Sequence, residues 1–199
     1  MSFPFQIESA PWRELQPTHL PLAGQTTNLG DDVQCAAASI LWGVDELVER
    51  DAPESWPADA LIPLFGWHGH RRWGRAPACQ CLIIGLHLTP ARREEFAQPH
   101  LRRWLADMVR LQGFPAMARD LVTRDFIRAL GIDAEFGGCV TLTLAETGKK
   151  EFPVKSKLDR RFAIDAPAPE GFRVMTHQQP ALPTLPPVER LSWGCISCA

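Results

Sequence analysis

Hydrophobic positions along this chain recur with two spacings, and they predict helices alternating with strands. Val33, Ala37, Ile40, Leu41 and Val44 stand at i, i+4, i+7, i+8 and i+11, the apolar stripe of a packed helix starting near Asp31. The stretch that opens it, Thr26 to Gln34, offers Asn28 and Gly30 as loop formers and Asp31 or Asp32 as the N-cap. Unbroken apolar runs mark strands instead. Cys81 to Leu88 is the strongest, apolar on both faces, as a strand at the centre of a sheet with helices on both sides would be. Leu61 to Trp67 is a shorter run containing Pro63, and Leu20 to Gly24 is a brief one containing Pro21. Asp45 to Asp59 between them reads as a polar connection.

The later part continues the alternation. Thr89-Pro90 starts a helical region whose face is Leu101, Trp104, Leu105, Met108 and Leu111, closed by Gly113. A short helix follows Arg119-Asp120, with Thr123 as candidate cap, Phe126, Ile127 and Leu130 inward, and Gly131 at its end. Strands are expected at Ile132 to Phe136, after the turn Gly137-Gly138, at Phe162 to Asp165 and at Phe172 to Thr176. The fold class is therefore α/β, with a Rossmann-like, mainly parallel sheet flanked by helices. Residues 1–19 read as an extended lead-in, 20–177 as the α/β domain, and 178–199 as a Pro-rich irregular tail.

Composition narrows the partners. The 199 residues are 45% hydrophobic and 22% charged, with a formal net charge of −2, which suits an ordinary globular domain. That charge gives no reason to expect nucleic acid or an anionic membrane surface. No run reaches the roughly 18 apolar residues of a membrane span. Met1-Ser2-Phe3-Pro4-Phe5 lacks a secretory leader's basic start, so a cytoplasmic protein is expected. The six cysteines do not read as a disulfide scaffold, and Cys35 and Cys139 are expected to be buried thiols. Cys79-Gln80-Cys81 is too tightly spaced for a zinc knuckle, and Cys195 and Cys198 have no matching pair. Neither a metal nor a resident cofactor is expected. The chain also lacks a GxSxG elbow, a Walker-type loop, a GxGxxG turn and an HExxH helix.

Candidate chemistry sits where strands end. A loop feeding a helix beside a sheet, as Asn28 to Gln34 does, is a usual place for a polar ligand. The loop from Gly66 through Trp67, His68 and His70 to Trp73 follows a strand, so its cations and aromatics suit an anionic or sugar ligand, or else pack on the surface. His87 near the end of the best strand is either a hydrogen-bonded core residue or a catalyst. Arg119-Asp120 at a strand-to-helix junction is either an ion pair and cap or a ligand contact.

Three stretches together resemble the polysaccharide pyruvyl transferase family. Asn28-Leu29-Gly30-Asp31-Asp32-Val33-Gln34 is similar to its N-x-G-D-x-x-Q opening. Phe65-Gly66-Trp67-His68 and Leu82 to Leu88 are similar to its "GW-x-H" and "I-x-FH" strand ends. Arg119-Asp120-Leu121-Val122-Thr123, Leu130-Gly131-Ile132 and Phe136 to Leu144 are similar to its "CRD-x-x-T", "GI" and "FSGCLTLTL" blocks. Arg173 to His177 is similar to a later "VVTHE" strand. The resemblance implies one lobe of a GT-B-like fold, with phosphoenolpyruvate as donor substrate and a sugar or polysaccharide as acceptor. It marks Asn28, Gly30, Asp31, Gln34, Trp67, His68, His87, Arg119 and Asp120 as ligand contacts. The family's second-lobe Arg-Leu-His segment has no counterpart here, Phe114 to Ala118 replaces its P-x-G-C, and Gly137 replaces its serine. On the resemblance, then, the second lobe is truncated or encoded separately as a partner, and a non-catalytic sugar- or anion-binding module is the alternative.

Overall fold

The computed structural model describes residues 14–22, 29–68, 71–143, 161–164 and 172–175. Asn28, most of the lead-in and the tail from residue 178 lie outside them. The elements are β1 (Leu20–Leu22), α1 (Leu29–Trp42), β2 (Leu47–Glu49), β3 (Leu61–Trp67), β4 (Gln80–His87), α2 (Pro90–Phe96), α3 (Pro99–Gln112), β5 (Ala116–Ala118), α4 (Leu121–Ala129), β6 (Ala134–Phe136), β7 (Arg161–Ile164) and β8 (Phe172–Met175). Strands β3, β4, β5 and β6 form one sheet in that order, and every pair is parallel. Strands β1 and β2 pair in parallel, as do β7 and β8. Thr18 joins the first pair to β3: its N–H donates to the Leu61 carbonyl at 2.9 Å.

Strand β4 is interior and covered on both faces, as its double-sided apolar run predicts. Cys81 and Ile83 pack with Leu101, Leu105 and Met108 of α3 and Ile127 of α4. Leu82 and Ile84 pack on the other side with Cys35, Ala38 and Trp42 of α1. Gly85 interrupts this alternation. It sits at φ +74, where a side chain is strained, and β4 slips by one residue against both neighbours there. Leu86 consequently returns to the α3 side, and His87 comes into register with Trp67 on the α1 side. The bulge is what turns His87 toward α1.

Several local expectations change. The first helix begins at Leu29, so Asp31 lies in its first turn rather than capping it. Its inward stripe is Asp31, Cys35, Ala38 and Trp42, while Val33, Ile40 and Leu41 are only half-buried. Alanines at 36, 37 and 38 are fully buried, so the helix can lie close to the sheet. The expected polar connection contains β2. The helical region after Thr89 is two helices, because Pro99 starts a second one. Gly113 ends it in the left-handed conformation, φ 78. The cap of α4 is Asp120, not Thr123: its carboxylate accepts from the Thr123 N–H at 2.8 Å. Val140–Thr143 is a 3-10 turn where a strand is expected, after Gly138 reverses the chain at φ 71. Cys35 is fully buried, whereas Cys139 is only partly so. No helix among the described residues is long and apolar enough to cross a membrane.

Candidate functional site

Strands β3, β4 and β5 end side by side, and the N-terminus of α1 faces those ends. Parallel sheets place ligands in the crevice beyond the carboxyl ends of their strands. A cavity of about 620 Å³ lies there, lined by Gly30, Asp31, Gln34, Trp67, His87, Arg119 and Asp120. Its size is that of a small-molecule site.

Each lining residue has an identifiable support. Trp67 and His87 are cross-strand neighbours at the ends of β3 and β4. Arg119 follows β5 and its N–H donates to the Leu86 carbonyl at 2.9 Å, which extends the ladder one residue. Its guanidinium reaches Gln34 Oε1 at a long 3.4 Å, while the Gln34 amide donates to the Gly30 carbonyl at 2.8 Å. Gly66 makes room for this contact, because a Cβ there would fall 2.5 Å from Gln34 Oε1.

The centre of the site is His87 with Asp120. His87 Nδ1 and Asp120 Oδ2 are 2.6 Å apart. The same carboxylate accepts from the Thr123 N–H at 2.8 Å and the Thr123 hydroxyl at 2.9 Å. Burial raises the affinity of Asp120 for a proton, but the bonds from His87 and Thr123 outweigh it and hold the carboxyl below its ordinary value. Thr123 is itself fully buried, and its oxygen also accepts from the Leu88 N–H at 3.1 Å. The dyad is thus anchored to both β4 and α4.

Asp31 has a different role from the one its position suggests. Its carboxylate is paired with Arg50 at 3.0 Å, both side chains nearly inaccessible. The charge of Asp31 is therefore offset, and Asp31 contributes wall more than charge. Nothing in the pattern singles out Arg50, which stands just past β2 in the stretch read as a polar connection.

His68 lies apart from the other candidates. It is 1% exposed and its ring meets Trp73 edge-on with centroids 5.6 Å apart. Trp73 is the hub of an aromatic cluster with Trp56, Phe96 and Trp104. Glu95 holds the loop in place, accepting from the Trp73 N–H at 2.7 Å and pairing with Arg92. His68 and Trp73 of this loop are core rather than ligand surface. Cys79 and Cys81 lie in that same core with sulfurs 3.9 Å apart. The hydrogen bond between them lowers the Cys79 thiol's pKa, and burial pushes Cys81 well up. Among the described residues no three His, Cys, Asp or Glu side chains gather as a metal site would need.

The chain matches no protein-family model, no curated protein and no solved structure.

Proposed function

We propose that this protein is polysaccharide pyruvyl transferase-like, and that its cavity takes part in moving a pyruvyl group from phosphoenolpyruvate to the hydroxyls of a sugar. One observation carries the reading. Gly30, Asp31, Gln34, Trp67, His87, Arg119 and Asp120 come from stretches far apart in the chain, and all of them line one cavity. Arg119 suits a carboxylate or phosphate, Trp67 suits the apolar face of a sugar ring, and Gln34 and Asp120 suit hydroxyls. Phosphoenolpyruvate supplies the donor and no resident cofactor is required. The reading belongs with a cytoplasmic protein, since the donor is a cytoplasmic metabolite.

A second reading has its own support. Among the described residues lining the cavity Arg119 is the one permanent cation, whereas phosphoenolpyruvate carries both a carboxylate and a phosphate. A sugar- or anion-binding module, or a half-enzyme completed by a separately encoded partner, needs no more than that. The two readings separate on one pair of measurements. Incubation with phosphoenolpyruvate and a panel of sugars, followed by phosphate release and the methyl signal of a pyruvyl ketal, reports catalysis. Calorimetry with each compound alone reports binding, and binding without ketal favours the module.

A further inference from the structure

We propose that His87 is the proton acceptor of this cavity, held by Asp120 so that in its neutral form the hydrogen sits on Nδ1 and the Nε2 lone pair is open to a ligand hydroxyl. The inference rests on the cavity being the ligand site and adds a role that the reading above leaves open.

The tautomer follows from counting donors. Asp120 Oδ2 already accepts from the Thr123 hydroxyl, Oδ1 accepts from the Thr123 N–H, and a carboxylate has no proton of its own to give. The 2.6 Å contact is therefore satisfied only if His87 Nδ1 carries the hydrogen. The opposite nitrogen, Nε2, makes no hydrogen bond to any described group and is not closed off from solvent. The imidazole side chain is 36% exposed and borders the cavity. In its neutral form an imidazole fixed in this way offers Nε2 as a hydrogen-bond acceptor on the cavity wall.

The surroundings agree with that role. Arg119 precedes Asp120 and can hold an anionic group beside the ring. Asp31 also borders the cavity, but Arg50 offsets its charge at 3.0 Å. Among the described residues, Asp120, Arg119 and the Asp31–Arg50 pair are thus the charged groups bordering the cavity with His87. Asp120 does not border the ring by accident of a loop: Thr123 bonds both Asp120 and the Leu88 backbone, so the strand bearing His87 and the helix bearing its partner share one buried link.

In pyruvyl transfer the step balances. The O–H bond of one sugar hydroxyl breaks and its proton passes to Nε2, while the oxygen forms a bond to C2 of phosphoenolpyruvate. The C2–C3 double-bond pair takes a proton from water at C3 to make the methyl group, and the imidazolium gives the hydroxyl's proton back to that water, so no net proton is gained or lost. A second hydroxyl then bonds to C2 as the C2–O bond to phosphate breaks, and that hydroxyl's proton leaves with the phosphate. One donor and one diol give one ketal and one hydrogen phosphate. Asp120 is a positioning residue in this scheme and touches no reacting atom.

Nitrogen-15 spectra of the imidazole groups in the full chain test the assignment without any ligand, His87→Gln identifying the signal. At a pH where the spectra show His87 neutral, the expected result is the Nδ1–H tautomer in the wild type. In Asp120→Asn, which keeps an N-cap for α4, the side-chain amide can donate instead, and the tautomer is expected to switch. A wild-type Nε2–H tautomer, or one indifferent to Asp120→Asn in a folded variant, overturns the proposal. If Asp120→Asn fails to fold, Thr123→Val, which removes one bond to the carboxylate, takes its place with a shift of the same signal expected. Turnover gives the second arm: His87→Gln is expected to lose 100-fold or more in rate and the limb of the pH profile that reports the base, and wild-type rate in this variant sinks the role. Absence of any turnover in the wild type overturns the pyruvyl reading alone, while the spectra still decide the tautomer.

Discussion

The space that a Cβ on Gly66 would occupy is taken by the side chain of Gln34, whose Oε1 would lie 2.5 Å away. The end of β3 and the second turn of α1 thus meet at a point where a side chain at 66 fits only if Gln34 moves aside. Gly66 also sits at φ +72, a conformation that costs a side chain about 1–2 kcal/mol. Gly66→Ala should lower the unfolding free energy by at least that amount and push Gln34 off Arg119. Urea denaturation measures the first effect. The steric part should shrink when Gln34→Ala is added, and a Gly66→Ala cost that is the same in both backgrounds would show that Gln34 is not the obstacle.

Arg50 and Asp31 make the second specific pairing, with side chains 3% and 2% exposed. Breaking one side of a buried pair leaves a charge without its counterion and costs about 3–5 kcal/mol. Arg50→Ala should approach that figure. The double replacement Arg50→Met with Asp31→Leu should recover most of it, because an apolar pair of similar volume avoids the desolvation of both ions. If the double variant is as unstable as the sum of the singles, the two charges are not coupled.

The sequence pattern located the sheet well and the first helix less well, for a physical reason. Strands β3 and β4 are covered on both faces, so their residues are nearly all apolar and their limits are visible as runs. The inward stripe of α1 starts with Asp31 and continues through Cys35, Ala38 and Trp42. A charged residue heads that stripe only because Arg50, distant in the chain, neutralises it. Pattern alone therefore favours Val33, Ile40 and Leu41, which are half-buried. Strand β2 was hidden in the same way, since Leu47 and Glu49 are exposed and the strand is three residues long. Within the candidate site, His87 and Asp120 were each visible as polar residues at the end of an apolar segment. Their pairing was not, because it depends on the bulge at Gly85 that resets which way His87 points. His68 differs for the opposite reason: it heads a run with His70, Arg71 and Arg72 that reads as a loop, while its neighbour in space is Trp73.

The Asp120 carboxyl is held below its ordinary value once its bonds outweigh burial, so it ties stability to pH. A depressed carboxyl binds its proton more readily in the unfolded chain. Its contribution is therefore full above the unfolded value, about 3.9 for an aspartate, and disappears as pH falls through the lower folded value. The stability difference between wild type and Asp120→Asn should be constant near neutrality and shrink in that acidic window. Denaturation series at several pH values give this directly. Asp120→Ala should cost a further ~1 kcal/mol at all pH values, because it also removes the cap of α4. A difference that grows on acidification contradicts the assigned direction.

Arg119 should matter for ligands and hardly at all for folding. Among the described residues its one side-chain bond is the 3.4 Å contact to Gln34, so Arg119→Met should change stability by less than about 0.5 kcal/mol. A hydrogen bond to a charged group is worth about 1.5–3 kcal/mol, so losing it should weaken binding of phosphoenolpyruvate roughly 10- to 150-fold. Binding to a neutral sugar should change much less. Arg119→Lys keeps the charge but not the planar fork, and should fall between the two. Calorimetry with phosphoenolpyruvate and with an uncharged sugar separates these effects, and added salt should weaken the former preferentially. Equal losses for both ligands would mean that Arg119 shapes the cavity wall rather than holding an anion. On the proposed reading, phosphoenolpyruvate would then have to be held by another part of the site.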